Sequence, residues 1–120
     1  LEMIGYYDSA PDSQNYPYPA MSWLYPDRGD FIAVVGRMQD INAVRQLKAA
    51  LLSSQDLSVY SMNAPGFIPG IDFSDHLNYW QHDIPAVMIT DTAFYRNKQY
   101  HLPGDTADRL NYQKMAQMVL

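Results

Sequence analysis

His101 is the side chain of this sequence best suited to bind a metal ion or to accept a proton. It follows Tyr100 and precedes a Pro103-Gly104 turn, in a polar loop beyond the apolar run of residues 86–90. Functional side chains of α/β proteins commonly lie on loops that follow a strand, and a neutral imidazole is a frequent metal ligand and general base. The alternative, which holds for most single loop histidines, is that His101 is merely exposed.

Carboxylates supply the other candidate groups. Glu2 is the only glutamate among thirteen acidic residues and lies in the apolar run 1–7, where an ionised carboxylate is costly unless it is paired or binds a cation. The alternative is that Glu2 is exposed at the edge of the sheet. Asp75 could orient a ligand histidine or accept a proton; the alternative is a helix-capping Asp75 beside a solvent-facing His76. Glu2 and His101 could supply half of the ligands of a zinc or dizinc site. Two ligands alone do not make a site, because a catalytic zinc needs about three protein ligands and an open position.

Composition limits the class of protein. The 120 residues, 48% of them hydrophobic, suit one small globular domain. The net charge of −5, with eight scattered Lys and Arg residues, argues against nucleic-acid binding. No apolar run approaches the roughly 20 residues that span a bilayer, and the absence of cysteine excludes disulfides and thiolate metal sites. The sequence also lacks a Gly-x-Ser-x-Gly elbow, a phosphate-binding glycine loop, a His-Glu-x-x-His motif and a calcium loop.

Apolar periodicity predicts the elements that must position these side chains. We expect strands over residues 1–7, 31–36, 57–62 and 86–90, and helices over residues 41–53, 75–81 and 112–120. Asp40 is the expected cap of the first helix, and Ser74 or Asp75 that of the second. This alternation predicts an α/β sandwich with an at least partly parallel sheet. The loop over residues 8–30, rich in proline and aromatic residues, could wall a pocket or simply be a surface loop pinned by its own aromatic residues.

The ends of the sequence read as interrupted elements. Residues 1–7 resemble a strand without a lead-in, and residues 115–120 resemble a helix without a stop signal. We therefore expect the chain to be part of a longer protein.

Five stretches of the sequence together resemble the C-terminal half of the M28 family of zinc exopeptidases. This family includes bacterial aminopeptidases, glutamate carboxypeptidase and, as a relative, glutaminyl cyclase. The stretches are LEMIGY (1–6), GIDFSDH (70–76), IPAVMITDT (84–92), RN (96–97) and YHLPGDTADRLNY (100–112). They follow the family's order across nearly the whole chain, and the resemblance is weakest over residues 8–30, which look like a variable insertion. The resemblance implies a three-layer α/β/α sandwich with a mixed, largely parallel sheet, of whose catalytic domain residues 1–120 form the C-terminal portion.

The resemblance also implies roles for individual residues. Glu2 matches an acidic zinc ligand that is often Asp in the family, and His101 matches the last histidine ligand. Asp75 matches a carboxylate that supports the active site. The implied walls of the substrate pocket are Ile71, Phe73 and Tyr100. The family's first histidine ligand, its bridging aspartate and its Glu-Glu pair, which supplies the general base, have no counterpart in residues 1–120.

The implied function is that of a zinc-dependent aminopeptidase that binds two zinc ions and hydrolyses N-terminal peptide bonds with a metal-activated water. This chain alone is expected to be inactive, since it needs the N-terminal part of its own domain. Its expected partner is a peptide substrate, and because members of the family are often exported, the resemblance favours a periplasmic or secreted location. The alternatives are a glutaminyl cyclase-like acyltransferase with one zinc, a non-catalytic binding module such as the transferrin receptor ectodomain, and a structural α/β domain with incidental His and Asp residues.

Overall fold

A three-stranded sheet lies at the centre of the fold. The computed structural model describes residues 1–54 and 56–119, with strands β1 (Phe31–Gly36), β2 (Ser58–Asn63) and β3 (Val87–Thr90). The strand order across the sheet is β2-β1-β3. β1 is parallel to β2 and antiparallel to β3. The sheet is therefore mixed, and the expectation of a largely parallel sheet holds for one of these two strand pairs.

Three α-helices accompany the sheet in the described residues, as the periodicity predicts. They are α1 (Ile41–Ser54), α2 (His76–Trp80) and α3 (Tyr112–Val119), and the expected helix end at Leu120 lies outside the described residues. α1 connects the parallel strands β1 and β2, which need a long crossover of this kind. Across residues 1–54 and 56–119, no helix has both the length and the apolar character that crossing a membrane requires.

The central strand β1 is buried along its whole length, as its uninterrupted apolar sequence predicts. Its side chains alternate between two cores because successive residues of a strand point to opposite faces. One core contains Phe31, Ala33, Val35 and Trp80 of α2. The other contains Ile32, Val34, Val44 of α1 and Met118 of α3. The protein is thus an α/β domain with apolar cores on both faces of its sheet.

Residues 1–7 are not the regular strand that the sequence predicts. Met3 has a φ of 51°, in the left-handed region, and this interrupts the extended backbone. The segment nevertheless follows the edge of β3: the amide of Glu2 donates to the carbonyl of Ile89 at 2.9 Å, and the amide of Asp91 donates to the carbonyl of Met3. Glu2 is therefore held at the sheet edge by an irregular segment.

The expected helix caps also differ from the structure. The carboxylate of Asp40, directly before α1, accepts hydrogen bonds from the guanidinium of Arg37 at 2.8 and 3.3 Å. Asp75 directly precedes α2, but its side chain makes no capping hydrogen bond. The hydroxyl of Ser74 donates to the carboxylate of Glu2 rather than capping the helix. Asp40 is thus paired with an arginine three residues earlier in the chain, and of the three expected caps only Ser74 has a side-chain partner distant in sequence among the described residues.

Candidate functional site

An apolar cavity of about 100 Å³ lies over the sheet face formed by Phe31, Ala33 and Val35. Three loops supply much of its wall. The first loop contributes Tyr16, Met21 and Tyr25, the second contributes Ile68, Ile71 and Phe73, and the third contributes Phe94, Tyr95 and Tyr100. Among the described residues that line the cavity, Glu2 alone carries a charge. The site can therefore accommodate an apolar group beside a single carboxylate.

Four of the six residues singled out from the sequence meet at this cavity. Glu2, Ile71, Phe73 and Tyr100 all line it. Ile71 is buried, whereas Phe73 is 62% exposed and contacts Phe94 with a ring-centroid distance of 6.1 Å. The ring of Phe94 lies 5.8 Å from that of Tyr100. A chain of aromatic rings thus joins the two loops that carry the predicted pocket walls.

Glu2 lies between this cavity and a second, more polar depression. Asp75 and His76 also line that depression. One carboxylate oxygen of Glu2, Oε2, accepts a hydrogen bond from the hydroxyl of Ser74 at 3.1 Å. Ser74 was not predicted as a site residue. Its position directly before a short helix predicts a helix cap, and the sequence contains no separate signal for its contact with Glu2. Ser74 orients the Glu2 side chain at the boundary of the two spaces.

His101 adjoins the cavity through Tyr100 and is not one of the described residues that line it. Its ring stacks on that of Tyr100, with centroids 3.9 Å apart and an interplanar angle of 17°. The backbone of His101 is left-handed, with a φ of 58°. A non-glycine residue in this region stores about 1–3 kcal/mol of strain, which persists only where neighbouring groups hold it.

A buried asparagine and a partly buried arginine hold the turn that carries His101. Asn97 is 1% exposed; its amide donates to Asp105 at 2.7 Å, and its carbonyl accepts from Arg109 at 3.1 Å. Arg109 also donates to the hydroxyl of Tyr6 at 3.1 Å and lies over the Tyr6 ring at 5.0 Å. The His101 turn is therefore tied to the N-terminal segment that contains Glu2.

Arg96 connects the same segment to β1 and to the loop over residues 8–30. It is 2% exposed and donates to the carbonyls of Tyr6 and Phe31 at 3.1 and 2.9 Å and to Gln14 Oε1 at 2.9 Å. Its Nη2 has no hydrogen-bond partner within the described ranges, and burial lowers the pKa of Arg96. The sequence offers one signal for this role: an Arg-Asn pair in the loop that follows β3.

Asp91, at the end of β3, anchors the N-terminal segment from the other side. It is 1% exposed, and its carboxylate accepts from the amides of Gly5 and Tyr6 at 3.1 and 2.8 Å and from that of Ala93 at 2.9 Å. Burial raises the pKa of Asp91, while these amides act in the opposite direction. The carboxylate of Asp91 is thus hydrogen-bonded to backbone amides, and it positions residues 5 and 6.

Asp75 and His76 occupy different environments. Asp75 is exposed and faces the polar depression, and its carboxylate makes no hydrogen bond to the rest of the described chain. His76 is buried; its Nε2 donates to the carbonyl of Ile71 at 2.6 Å, and its ring packs edge-on against Trp80 at 4.4 Å. The expectation of a solvent-facing His76 is wrong, because the imidazole stabilises the loop before α2.

Glu2 and His101 carry the kinds of side-chain atom that bind zinc. Carboxylate oxygen and imidazole nitrogen are both zinc ligands, so Glu2 and His101 are chemically suitable. Within residues 1–54 and 56–119, no three His, Cys, Asp or Glu side chains form a group that could hold a metal ion. A zinc site that used Glu2 and His101 would therefore need further ligands from outside the described residues.

Comparisons with known proteins identify a longer relative. Over 119 residues, 99% of its length, the chain is 95% identical to the uncharacterized protein YfbL of Escherichia coli (strain K12). It spans 37% of that relative's length. A scan against family models found no match, and a search of solved structures found no significant match. The chain is thus similar to about a third of the length of a bacterial protein.

Proposed function

We propose that this chain is the C-terminal portion of the catalytic domain of an M28-type zinc aminopeptidase, and that it is inactive alone. The complete domain would be a three-layer α/β/α sandwich. The observation that supports the proposal is the convergence of distant motifs: Glu2 and Tyr100 line one cavity, and His101 stacks on Tyr100 at 3.9 Å. The stretches that resemble the family at the two ends of the chain therefore come together at a site.

In this proposal Glu2 and His101 are two ligands of a two-zinc centre. When bound, zinc acts as a Lewis acid and makes a bound water a strong nucleophile near neutral pH. Ser74 engages Oε2 of Glu2 and leaves Oε1 available for coordination. Tyr100 restrains the His101 ring by stacking, and the Asn97–Arg109 contacts hold its turn. The general base and the remaining ligands would come from the N-terminal part of the domain, as the family resemblance implies.

The cavity supplies the environment that the reaction needs. Its walls are apolar and aromatic, so a bound side chain would displace water next to Glu2, and electrostatic interactions strengthen where water is excluded. Asp75 faces the adjoining depression, where it could support the site without being a metal ligand. In this proposal the walls of the cavity bind the substrate side chain, and Ser74 and Tyr100 orient the two metal ligands Glu2 and His101.

The test is activity of the full-length protein towards leucine p-nitroanilide. His101→Ala and Glu2→Gln should each reduce kcat/KM by more than the 10–100-fold that loss of an outer-shell partner causes, because each removes a metal ligand. His82→Ala is the matched control, since His82 is exposed and is assigned no role; it should leave kcat/KM unchanged. Full activity of His101→Ala would contradict the proposal, and cyclisation of N-terminal glutamine without hydrolysis would favour the glutaminyl cyclase-like alternative.

A further inference from the structure

We propose that Arg109 is a positioning residue for His101: its guanidinium closes the turn that carries the histidine and thereby fixes where the imidazole points. The turn comprises residues 97–105, and Arg109 follows it in the chain. Within the described residues Arg109 bonds to the two ends of the turn and to the N-terminal segment, so it acts on His101 through the backbone. The role of His101 as a zinc ligand rests on the proposed function, whereas the closure of the turn rests on these contacts.

A single guanidinium bonds both ends of the turn. Its Nη1 donates to the side-chain carbonyl of Asn97 at 3.1 Å and to the backbone carbonyl of Gly104 at 3.2 Å. These two residues lie on either side of His101 in the sequence. The planar fork of arginine can hold several acceptors at once, whereas the ammonium of lysine is a compact point charge on a flexible stem. The geometry of the contacts therefore calls for arginine at this position.

The other end of the guanidinium is attached to a well-anchored residue. Nη2 of Arg109 donates to the hydroxyl of Tyr6 at 3.1 Å, and the guanidinium lies over the Tyr6 ring at 5.0 Å. The backbone of Tyr6 is held in turn, because its amide donates to Asp91 at 2.8 Å and its carbonyl accepts from Arg96 at 3.1 Å. Arg109 thus ties the turn to a part of the chain that is fixed against the end of β3.

Without Arg109 the turn would depend mainly on its own short-range contacts. The amides of Tyr100, Leu102 and Asp105 each donate to the carbonyl three residues earlier, at 2.8–3.0 Å. His101 has a φ of 58°, and a non-glycine residue keeps this strained conformation only where surrounding groups impose it. Loss of the guanidinium should therefore let the turn open and let His101 relax, which would turn the imidazole away from its present direction.

A fixed turn matters for binding because order established beforehand does not have to be imposed by the ligand. A group that is rigid before binding loses less conformational freedom when it binds, and its affinity is higher. Removal of a residue that orients a metal ligand typically lowers metal affinity by about 10–100-fold. Arg109 acts at one remove from the imidazole, so we expect the lower end of this range, about tenfold.

The experiment uses the full-length protein and two readouts. Hydrogen exchange of the metal-free protein, followed by mass spectrometry, reports the opening of the turn through its three hydrogen-bonded amides. Zinc affinity is measured by competition with a chromophoric chelator. In Arg109→Met, exchange over residues 97–105 should become at least about tenfold faster, exchange in α1 should not change, and zinc should bind about tenfold more weakly. Arg45→Met is the matched control, because Arg45 is exposed on α1; it should alter neither readout.

Two further variants test the mechanism of closure. Tyr6→Phe removes the hydroxyl and leaves the two contacts with the turn, so it should accelerate exchange over residues 97–105 by a smaller factor than Arg109→Met. It decides the question if Arg109→Met does not fold. Arg109→Lys keeps the positive charge but not the fork, and it should recover only part of the zinc affinity.

The outcomes separate the turn from the proposed reaction. Unchanged exchange over residues 97–105 in Arg109→Met, or an equal acceleration in the turn and in α1, would refute the proposal, since the second result is a general loss of stability. Unchanged zinc affinity of Arg109→Met, in a protein that binds zinc, would refute it as well. If exchange accelerates in the turn alone but the unaltered protein binds no zinc, closure by Arg109 stands and the proposed function fails.

Discussion

Replacement of the buried Arg96 by methionine is the most direct perturbation of the scaffold that holds the site. Methionine keeps much of the side-chain length and apolar contact but removes the guanidinium. The carbonyls of Tyr6 and Phe31 then lose a charged donor at 3.1 and 2.9 Å, and Gln14 loses one at 2.9 Å. The substitution thereby uncouples the N-terminal segment, β1 and the loop over residues 8–30.

The size of the effect follows from these contacts. Hydrogen bonds to charged groups contribute about 1.5–3 kcal/mol each, so loss of the two carbonyl contacts amounts to roughly 3–6 kcal/mol. Part of this loss is offset, because burial disfavours the charged guanidinium, as the lowered pKa of Arg96 indicates, and the variant avoids that desolvation. We expect a net decrease of about 2–4 kcal/mol in the free energy of unfolding, a large share of the 5–15 kcal/mol typical of a domain.

The assay is urea unfolding of the purified protein. With a dependence of about 2 kcal/mol per molar urea, in the middle of the usual range, the midpoint for Arg96→Met should fall by roughly 1–2 M. Arg28→Met is the control, because Arg28 is exposed and makes a single hydrogen bond, to the carbonyl of Ser9 at 3.0 Å; its effect should stay within about 0.5 kcal/mol. An unchanged midpoint for Arg96→Met, or an equal loss in both variants, would refute the reasoning.

Two further predictions concern neighbours of Arg96. Burial raises the pKa of Tyr7 from 10.0 to about 12, so the unaltered protein should lose unfolding free energy as the pH rises from 10 towards 12; Tyr7→Phe should show a smaller loss between pH 9 and 11.5, and an identical loss would contradict this assignment. A Cβ at Gly29 would lie 2.6 Å from Arg96 Cδ, so Gly29→Ala should lower the free energy of unfolding by about 1–3 kcal/mol. Gly66→Ala, where a Cβ meets nothing within 4 Å, should change it by less than about 1 kcal/mol, and equal effects of the two alanines would refute the steric argument.

Local patterns predicted the three strands and three α-helices of the described residues, but they also predicted a regular strand over residues 1–7 that the structure does not contain. The apolar run of β1 and the helical spacing of α1 predict their observed positions, because burial on both faces and amphipathic packing leave direct signatures in sequence. The direction of β3 could not be predicted, since it depends on how residues 64–86 cross the sheet. The left-handed Met3, which ends the expected first strand, has no local signal, because methionine rarely adopts that conformation.

The site was predictable only in part. Family resemblance drew attention to Glu2 and Tyr100, which line one cavity, but their roles there stay a prediction. The hydrogen bond between Ser74 and Glu2 joins residues that are 72 positions apart. The local sequence predicts instead that Ser74 caps a helix. The burial of Arg96 likewise depends on three separate segments meeting around it. Tertiary contacts of this kind have no short-range signature in a single sequence.

The most direct test of the proposed function is the zinc content of the full-length protein, measured by elemental analysis. We predict about two zinc ions per chain, as in two-metal hydrolytic sites, and clearly less zinc in the Glu2→Gln and His101→Ala variants. An unaltered protein that contains no zinc after purification in zinc-supplemented buffer, or variants that retain the full zinc content, would contradict the central claim.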